Sequence, residues 1–355
     1  MRINWILPEA SQCGGVRVAL DYANLLTEMG HDVICYVPKS GQHFGWKRIF
    51  FVKEVLKMYR DSEIRGEWFE NKFTFEFPMW INDKYVRDAD VTIATSWITA
   101  YWIKEMCPKK GKKVYFIQDF ETWGNEKYNK LVLKTYSFPF DQFITVSTAL
   151  HDKLLEEIGT NSQVVCNGVE KCFVSKTNKS FKKIVIGMPY REMRGADIKN
   201  CSMGIEVLMK IKTIFPSVEL HAFGFNKPIE WNDEIDFLEN PSREELVKFY
   251  NQINIFYVPS VYEGWGLPAM EAMAQENLVL GACSGLIQEI GVDMQNCVIL
   301  RNPRDKEEAI EKICFLINNM DIVRKIGRNA RNSVLEMTTY HSGKRFEHVL
   351  EACAN

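Results

Sequence analysis

The sequence predicts an α/β protein built from two Rossmann-like, doubly wound domains facing a central cleft. Three observations carry this. A strand–helix–strand unit occupies the first forty residues. Buried-type strands and amphipathic helices alternate along the rest of the chain. A polar, lysine-rich stretch at 169–182 separates two such series. At about 150 residues per domain, 355 residues also fit two domains.

The elements follow in order. Ile3–Leu7 is a short apolar run and reads as a strand. Pro8–Gly15 is a loop that ends in Gly14-Gly15. Val18, Tyr22, Leu25, Leu26 and Met29 recur at helical spacing, and Gly30 stops the helix. Asp32–Val37 is the second strand, and a crossover of this length implies a parallel sheet. Val91–Thr95, Val114–Ile117, Gln142–Val146 and Gln163–Cys166 continue the strands, with a helix over Thr148–Ile158. After the stretch at 169–182 the strands are Ile184–Met188, Glu219–Phe223, Ile255–Val258, Leu278–Gly281 and Cys297–Leu300. Helices are expected near 203–214, 242–252, 268–275, 305–318 and 321–336. The domains are therefore 1–170 and 171–336, with a last helix in 337–355 expected to return to the first domain.

Charge and cysteine usage exclude several classes. Residues 1–170 hold 21 basic and 22 acidic side chains, and residues 171–355 hold 23 and 24. Neither half has the basic excess of a nucleic-acid binder, so no nucleic-acid partner is expected. No apolar run reaches the length of about 18 residues that a membrane span needs. The start MRINWILPEA lacks the apolar core of a signal peptide, which points to a cytoplasmic chain. Ten cysteines are scattered, with no CxxC and no zinc-ligand spacing, and read as reduced, mostly buried thiols.

The strongest local signal is PSVYEGWGLPAMEAMAQ at 259–275. It follows a strand and opens a helix, and ligands of such sheets bind at the carboxyl ends of strands. Pro268 suits a first helical turn. Gly264 and Gly266 let the backbone approach a ligand closely. Free N–H groups at the helix start suit a diphosphate. Glu271, one turn inside, suits a ribose diol as a hydrogen-bond acceptor, and Glu263 suits a sugar. An ordinary strand–turn–helix with a glutamate complementing the dipole explains a lone helix start equally well.

The whole stretch resembles the signature of retaining GT-B glycosyltransferases, especially glycosyltransferase family four: Pro-Ser-x-x-Glu-Gly-Phe-Gly-Leu-Pro-x-x-Glu-Ala-Met-Ala. Pro259, Ser260, Glu263, Gly264, Gly266, Leu267, Pro268, Glu271, Ala272, Met273 and Ala274 match, and Trp265 stands at the Phe position. The resemblance implies a GT-B architecture. It gives Glu271 the donor ribose and Glu263 the donor sugar. It gives the backbone N–H groups of Trp265–Leu267 the sugar hydroxyls or the phosphate. Gly14-Gly15-Val16 looks like the family's first glycine loop, near the donor phosphates and the acceptor. Phe143–Ser147, Asn167-Gly168-Val169 and Ser284–Glu289 resemble further segments.

A diphosphate leaving group needs positive charge. The resemblance places it on Arg191, after the strand IVIGMP, and on Lys199, with Arg194 as the rival to Lys199. No metal and no other cofactor is expected. Asp88-Ala89-Asp90 has DxD spacing but sits before a strand. Gln118-Asp119-Phe120-Glu121 stands where relatives often carry His-Asp, and resembles a form seen in rhamnose-transferring relatives. Gln118 cannot shuttle a proton as histidine does. Asp119 is either an acceptor-side group or a cap on the following turn. A second departure is QENL at 275–278, where Cys-Gly-x-Pro is usual.

The implied activity is transfer of a sugar, rhamnose or another hexose, from a nucleoside-diphosphate sugar to a glycan or lipid-linked saccharide. The alternatives are a nucleotide-sugar epimerase of the same fold and a catalytically silent nucleotide-sugar-binding subunit. Residues 44–60 carry Lys47, Arg48, Lys53, Lys57 and Arg60 against Glu54. Such a helix suits an anionic membrane surface, and equally an amphipathic helix packed on its own domain. A second basic run spans Lys104 to Lys113.

Overall fold

Strands buried on both faces dominate each half of the chain, as a parallel sheet covered by helices requires. The computed structural model describes residues 1–39, 68–174, 179–191 and 197–355. They form two units, one of residues 1–167 with 339–355 and one of residues 168–338.

In the first unit, β1 (Arg2–Ile6) and β2 (Asp32–Tyr36) flank α1 (Gly14–Glu28). The helix starts inside the stretch read as a loop, so Gly14 and Gly15 are its first residues. Then come β3 (Thr74–Glu76), β4 (Val91–Ala94), α2 (Trp97–Ile103), β5 (Lys112–Ile117), α3 (Glu126–Thr135), β6 (Gln142–Thr145), α4 (Thr148–Ile158) and β7 (Gln163–Val164). The sheet runs β3-β2-β1-β4-β5-β6-β7, all parallel. The sequence reading missed β3. It is a three-residue edge strand, TFE, too short and too polar to show a period.

The second unit contains β8 (Val185–Pro189), α5 (Cys201–Ile214), β9 (Glu219–Gly224), β10 (Ile235–Glu239), α6 (Arg243–Gln252) and β11 (Ile255–Val258). It continues with α7 (Leu267–Ala274), β12 (Leu278–Ala282), α8 (Leu286–Ile290), β13 (Val298–Leu300), α9 (Lys306–Ile317) and α10 (Met320–Val334). The sheet order is β10-β9-β8-β11-β12-β13, again parallel. Ile186, Met188, Leu220, Ile255, Tyr257, Leu278 and Leu280 supply its core from the strands. β10, also missed in the sequence, is an edge strand with acidic residues in its sequence IDFLE.

The stretch read as a linker is largely built into the second unit. Val169 bridges to Thr338, Lys171–Val174 forms a 3₁₀ turn, and Phe173 is fully buried. Lys179 donates to the carbonyls of Tyr250 and Ile253 and to Asn277 Oδ1. The last helix, α11 (Thr339–Ala354), packs on the first unit. Its Phe346 is fully buried, stacked on Trp5 at 5.6 Å and tilted against Tyr22 at 5.0 Å. Glu347 on the same helix meets His31 Nε2 at 2.9 Å. No helix among the described residues is long and apolar enough to cross a membrane. All ten cysteines are free, but only Cys35, Cys201 and Cys297 are buried, fewer than the sequence suggests.

Candidate functional site

The order of the second sheet locates the site. The chain winds outward from β8 toward β9 and β10, then restarts at β11 and winds the other way. The connections leaving β8 and β11 therefore diverge and open a crevice at their carboxyl ends. Residues 190–200 follow β8, and residues 259–266 follow β11.

Lys199 and Glu263 meet across that point. Lys199 Nζ lies 2.7 Å from both Oε1 and Oε2 of Glu263. The two side chains are 22% and 19% exposed, so the pair is open to a ligand. An ammonium has three N–H groups, so one remains for a further acceptor. Asn200 sets the position of Lys199. It is buried, in the left-handed region at φ 51°, and its Nδ2 donates to the carbonyls of Pro259 at 3.2 Å and Pro303 at 2.9 Å. The loop after β8 is thereby tied to the loops after β11 and β13.

The start of α7 follows from its glycines. Gly266 is the N-cap at φ 89°, a conformation that L side chains rarely adopt. A Cβ on Gly285 would stand 2.4 Å from the Trp265 carbonyl, which itself accepts the Leu286 N–H at 2.6 Å. Among the described residues, the N–H groups of Gly264, Trp265, Gly266 and Leu267 donate to no backbone carbonyl. They leave donors at the positive end of the helix. The Trp265 side chain, by contrast, is 4% exposed and its Nε1 points at Met270 Sδ. It fills the core, so only its backbone faces the site.

Glu271 sits one turn into α7 and is buried. Its Oε1 accepts from Arg243 at 2.8 Å and its Oε2 from the Tyr250 hydroxyl at 2.9 Å. Arg243 pairs on its other side with Glu170 and lies over the Phe173 ring. Burial, reinforced by the Glu271 charge, pushes the Tyr250 phenol up, so it stays a donor. Arg191 is exposed just beyond β8, and its backbone N–H meets Cys201 Sγ at 3.4 Å. Arg194 lies outside the described residues.

In the first unit, the loop after β5 meets the start of α1. Gln118 Nε2 donates to the Gly15 carbonyl at 2.8 Å, a contact that fastens the glycine pair. Asp119 Oδ1 accepts the N–H of its neighbour Phe120 at 2.7 Å. Glu121 takes the left-handed conformation at φ 52°, and its carboxyl group lies inside although the residue as a whole is half-buried. It accepts the Trp97 N–H at 2.8 Å, at the start of α2, and the Tyr115 hydroxyl at 3.2 Å.

Burial pushes the Glu121 carboxyl from its ordinary 4.5 up to about 8; the nearby Asp119 charge adds to this, and the bond from Trp97 opposes it. The folded state therefore holds a proton that the unfolded chain has released. Stability is highest below the ordinary value and falls as pH rises from 4.5 to about 8. Glu121→Gln is expected to flatten that slope, which for one proton is at most about 1.4 kcal/mol per pH unit. Urea denaturation from pH 5 to 9 checks this, and an unchanged slope refutes it.

Two other readings are absorbed by structure. Asp88 pairs with Lys110 at 2.9 Å, and Asp90 accepts the Arg2 N–H at 2.6 Å. Both acidic groups precede β4, at its amino end, whereas Gln118 follows the carboxyl end of β5. Most of the second basic run is also committed. Lys110 is buried, Lys112 pairs with Asp141, Lys113 reaches the Lys104 carbonyl, and Lys104 lies over Phe138. The segment 44–60 lies outside the described residues.

Sequence reasoning missed Asn200, Arg243, Tyr250 and Glu170 as site residues. Arg243 follows Ser242, whose capping box with Glu245 is legible as S-x-x-E. That signal starts a helix, but nothing local says which glutamates its first residue will reach.

Comparisons with known proteins bear on the family and the fold. Residues 203–333 match the family model described as glycosyl transferases group 1. An uncharacterised glycosyltransferase of Methanocaldococcus jannaschii is 27% identical over 197 residues, 54% of each chain. An MMP α-(1→4)-mannosyltransferase of Mycolicibacterium hassiacum is 30% identical over 101 residues, 28% of this chain and 25% of that one. The matches thus span about half or less of these curated relatives. The structure of Anabaena Alr3699/HepE, solved with UDP and glucose, has a TM-score of 0.75 over 99% of both chains at 13% identity. That likeness shows the fold, which is the one of GT-B glycosyltransferases.

Proposed function

We propose that this GT-B chain, whose residues 203–333 belong to the glycosyl transferases group 1 family, moves a hexosyl group from a nucleoside-diphosphate sugar to a saccharide or lipid-linked saccharide hydroxyl. The observation that carries the reading is the Lys199–Glu263 pair, set beside the open start of α7 at the switch point of the second sheet. A cation, a row of backbone donors and a carboxylate are what a diphosphate and a sugar require together.

In this reading Lys199 and Arg191 carry the diphosphate charge, and the N–H groups of Gly264–Leu267 meet its oxygens or the sugar hydroxyls. Glu263 orients the sugar, and Glu271 takes the ribose. Acceptor recognition is assigned to Gln118 and Asp119 of the first unit. The acceptor oxygen forms its bond to the anomeric carbon on the face that the leaving phosphate departs. The C–O bond to phosphate breaks with its electron pair, and the phosphate oxygen takes the acceptor proton. No strong protein base is needed, which fits Gln118 at this position. The proposal is a retaining transfer, with rhamnose among the candidate sugars.

The test is a thermal-shift screen of UDP, GDP, ADP, dTDP and their sugars, followed by donor turnover with and without saccharide acceptors. One nucleotide is expected to stabilise by about 2.7 kcal/mol at 100 times its Kd. Glu271→Ala is expected to weaken that nucleotide by tenfold or more, about the worth of a charged hydrogen bond. Absence of any shift overturns the reading. Conversion of the sugar without transfer identifies an epimerase, and binding without turnover identifies a silent subunit.

A further inference from the structure

Two side chains outside the sequence signature hold the Glu271 carboxylate. Arg243 Nη2 donates to Oε1 at 2.8 Å, and the Tyr250 hydroxyl donates to Oε2 at 2.9 Å. Both come from α6, seven residues and about two turns apart, and so from one face. Neither is free to move away. The same Arg243 nitrogen pairs with Glu170, and its guanidinium lies 4.7 Å over the Phe173 ring. Tyr250 is fully buried, edge-on to Phe173 at 5.8 Å and Phe256 at 5.4 Å. Its carbonyl accepts from Lys179 Nζ and from Asn277 Nδ2.

An ionised carboxylate offers about four acceptor positions on two oxygens. Each oxygen of Glu271 receives one of these two donors, which leaves one position on each. A ribose diol presents two O–H donors on adjacent carbons. The two remaining positions match them in number and in chemistry. A carboxylate held by two fixed donors also meets its ordering cost in the free protein, before a ligand arrives.

We propose that Arg243 and Tyr250 are positioning residues for nucleotide binding. They orient Glu271 so that its two remaining acceptor positions receive the ribose hydroxyls of a nucleoside diphosphate. The inference rests on the proposed role of Glu271 and goes beyond it, because it assigns ribose recognition to a unit of three side chains from two helices. Arginine suits this place: one planar guanidinium nitrogen serves two carboxylates in a fixed geometry, whereas a lysine ammonium matches it in charge alone.

The experiment compares the affinities of UDP, GDP and ADP with those of their 2′,3′-dideoxy counterparts, for the wild type, Tyr250→Phe, Arg243→Lys and Glu271→Ala. The wild type is expected to prefer the hydroxylated form of its nucleotide by roughly tenfold or more. Tyr250→Phe and Arg243→Lys are each expected to shrink that preference severalfold while leaving dideoxynucleotide affinity little changed. A merely structural role moves both forms together, and that result overturns the proposal. So does an unchanged preference in both variants when Glu271→Ala abolishes it; the role of Glu271 then stands alone. A preference that survives Glu271→Ala, or is missing in the wild type, removes the ribose reading and this inference with it. The Arg243 side chain is 26% exposed, so Arg243→Lys decides the matter if Tyr250→Phe does not fold.

Discussion

Lys199→Met is expected to lower sugar transfer by about two to three orders of magnitude, the usual cost of removing one group that stabilises developing charge. The substitution keeps an unbranched side chain one atom shorter and removes its charge. Departure of a nucleoside diphosphate builds negative charge on a phosphate oxygen, and Lys199 is a cation held at the switch point by its pair with Glu263. The loss is expected mainly in kcat, because that charge grows toward the transition state. Folding should be little affected. Both partners are about one-fifth exposed, so water can solvate the Glu263 carboxylate left behind. Steady-state kinetics with the true donor, alongside a melting curve, check both halves. Full activity in Lys199→Met would sink the site assignment.

The second large effect concerns stability. Phe346→Ala is expected to destabilise the first unit by about 3–5 kcal/mol, the range for emptying a buried aromatic site. Phe346 is fully buried and lies within 5.6 Å of Trp5, 5.0 Å of Tyr22 and 5.1 Å of Phe116, measured between ring centres. These rings come from β1, α1 and β5, which cannot close over the gap without shifting the sheet. Chemical denaturation followed by Trp fluorescence measures it. A loss below about 1 kcal/mol would mean that α11 adds little to this core.

The second of these predictions shows where sequence reading reaches its limit. The strands were legible because parallel strands buried on both faces read as apolar runs, as in IVIGMP and VYFI. The edge strands β3 and β10 were not, because one is three residues long and the other carries acidic residues. The stretch 169–182 looked like a linker by composition, yet Phe173 and Lys179 in it are held by the second unit. Composition reports average polarity, and one buried ring and one lysine committed to three acceptors are enough to anchor a polar segment.

The candidate site divides in the same way. Glycines, a proline and two glutamates at fixed spacing by themselves determined the turn into α7 and the placing of Glu263 and Glu271, because these depend on local backbone conformation and helical periodicity. Only the tertiary structure decided what each carboxylate touches. Lys199 is 64 residues from Glu263, and Arg243 and Tyr250 are 28 and 21 residues from Glu271. Such pairs are set by sheet order and by the packing of one helix on another, for which no local pattern codes. The local sequence wrote the acceptors, and the fold chose the donors that orient them.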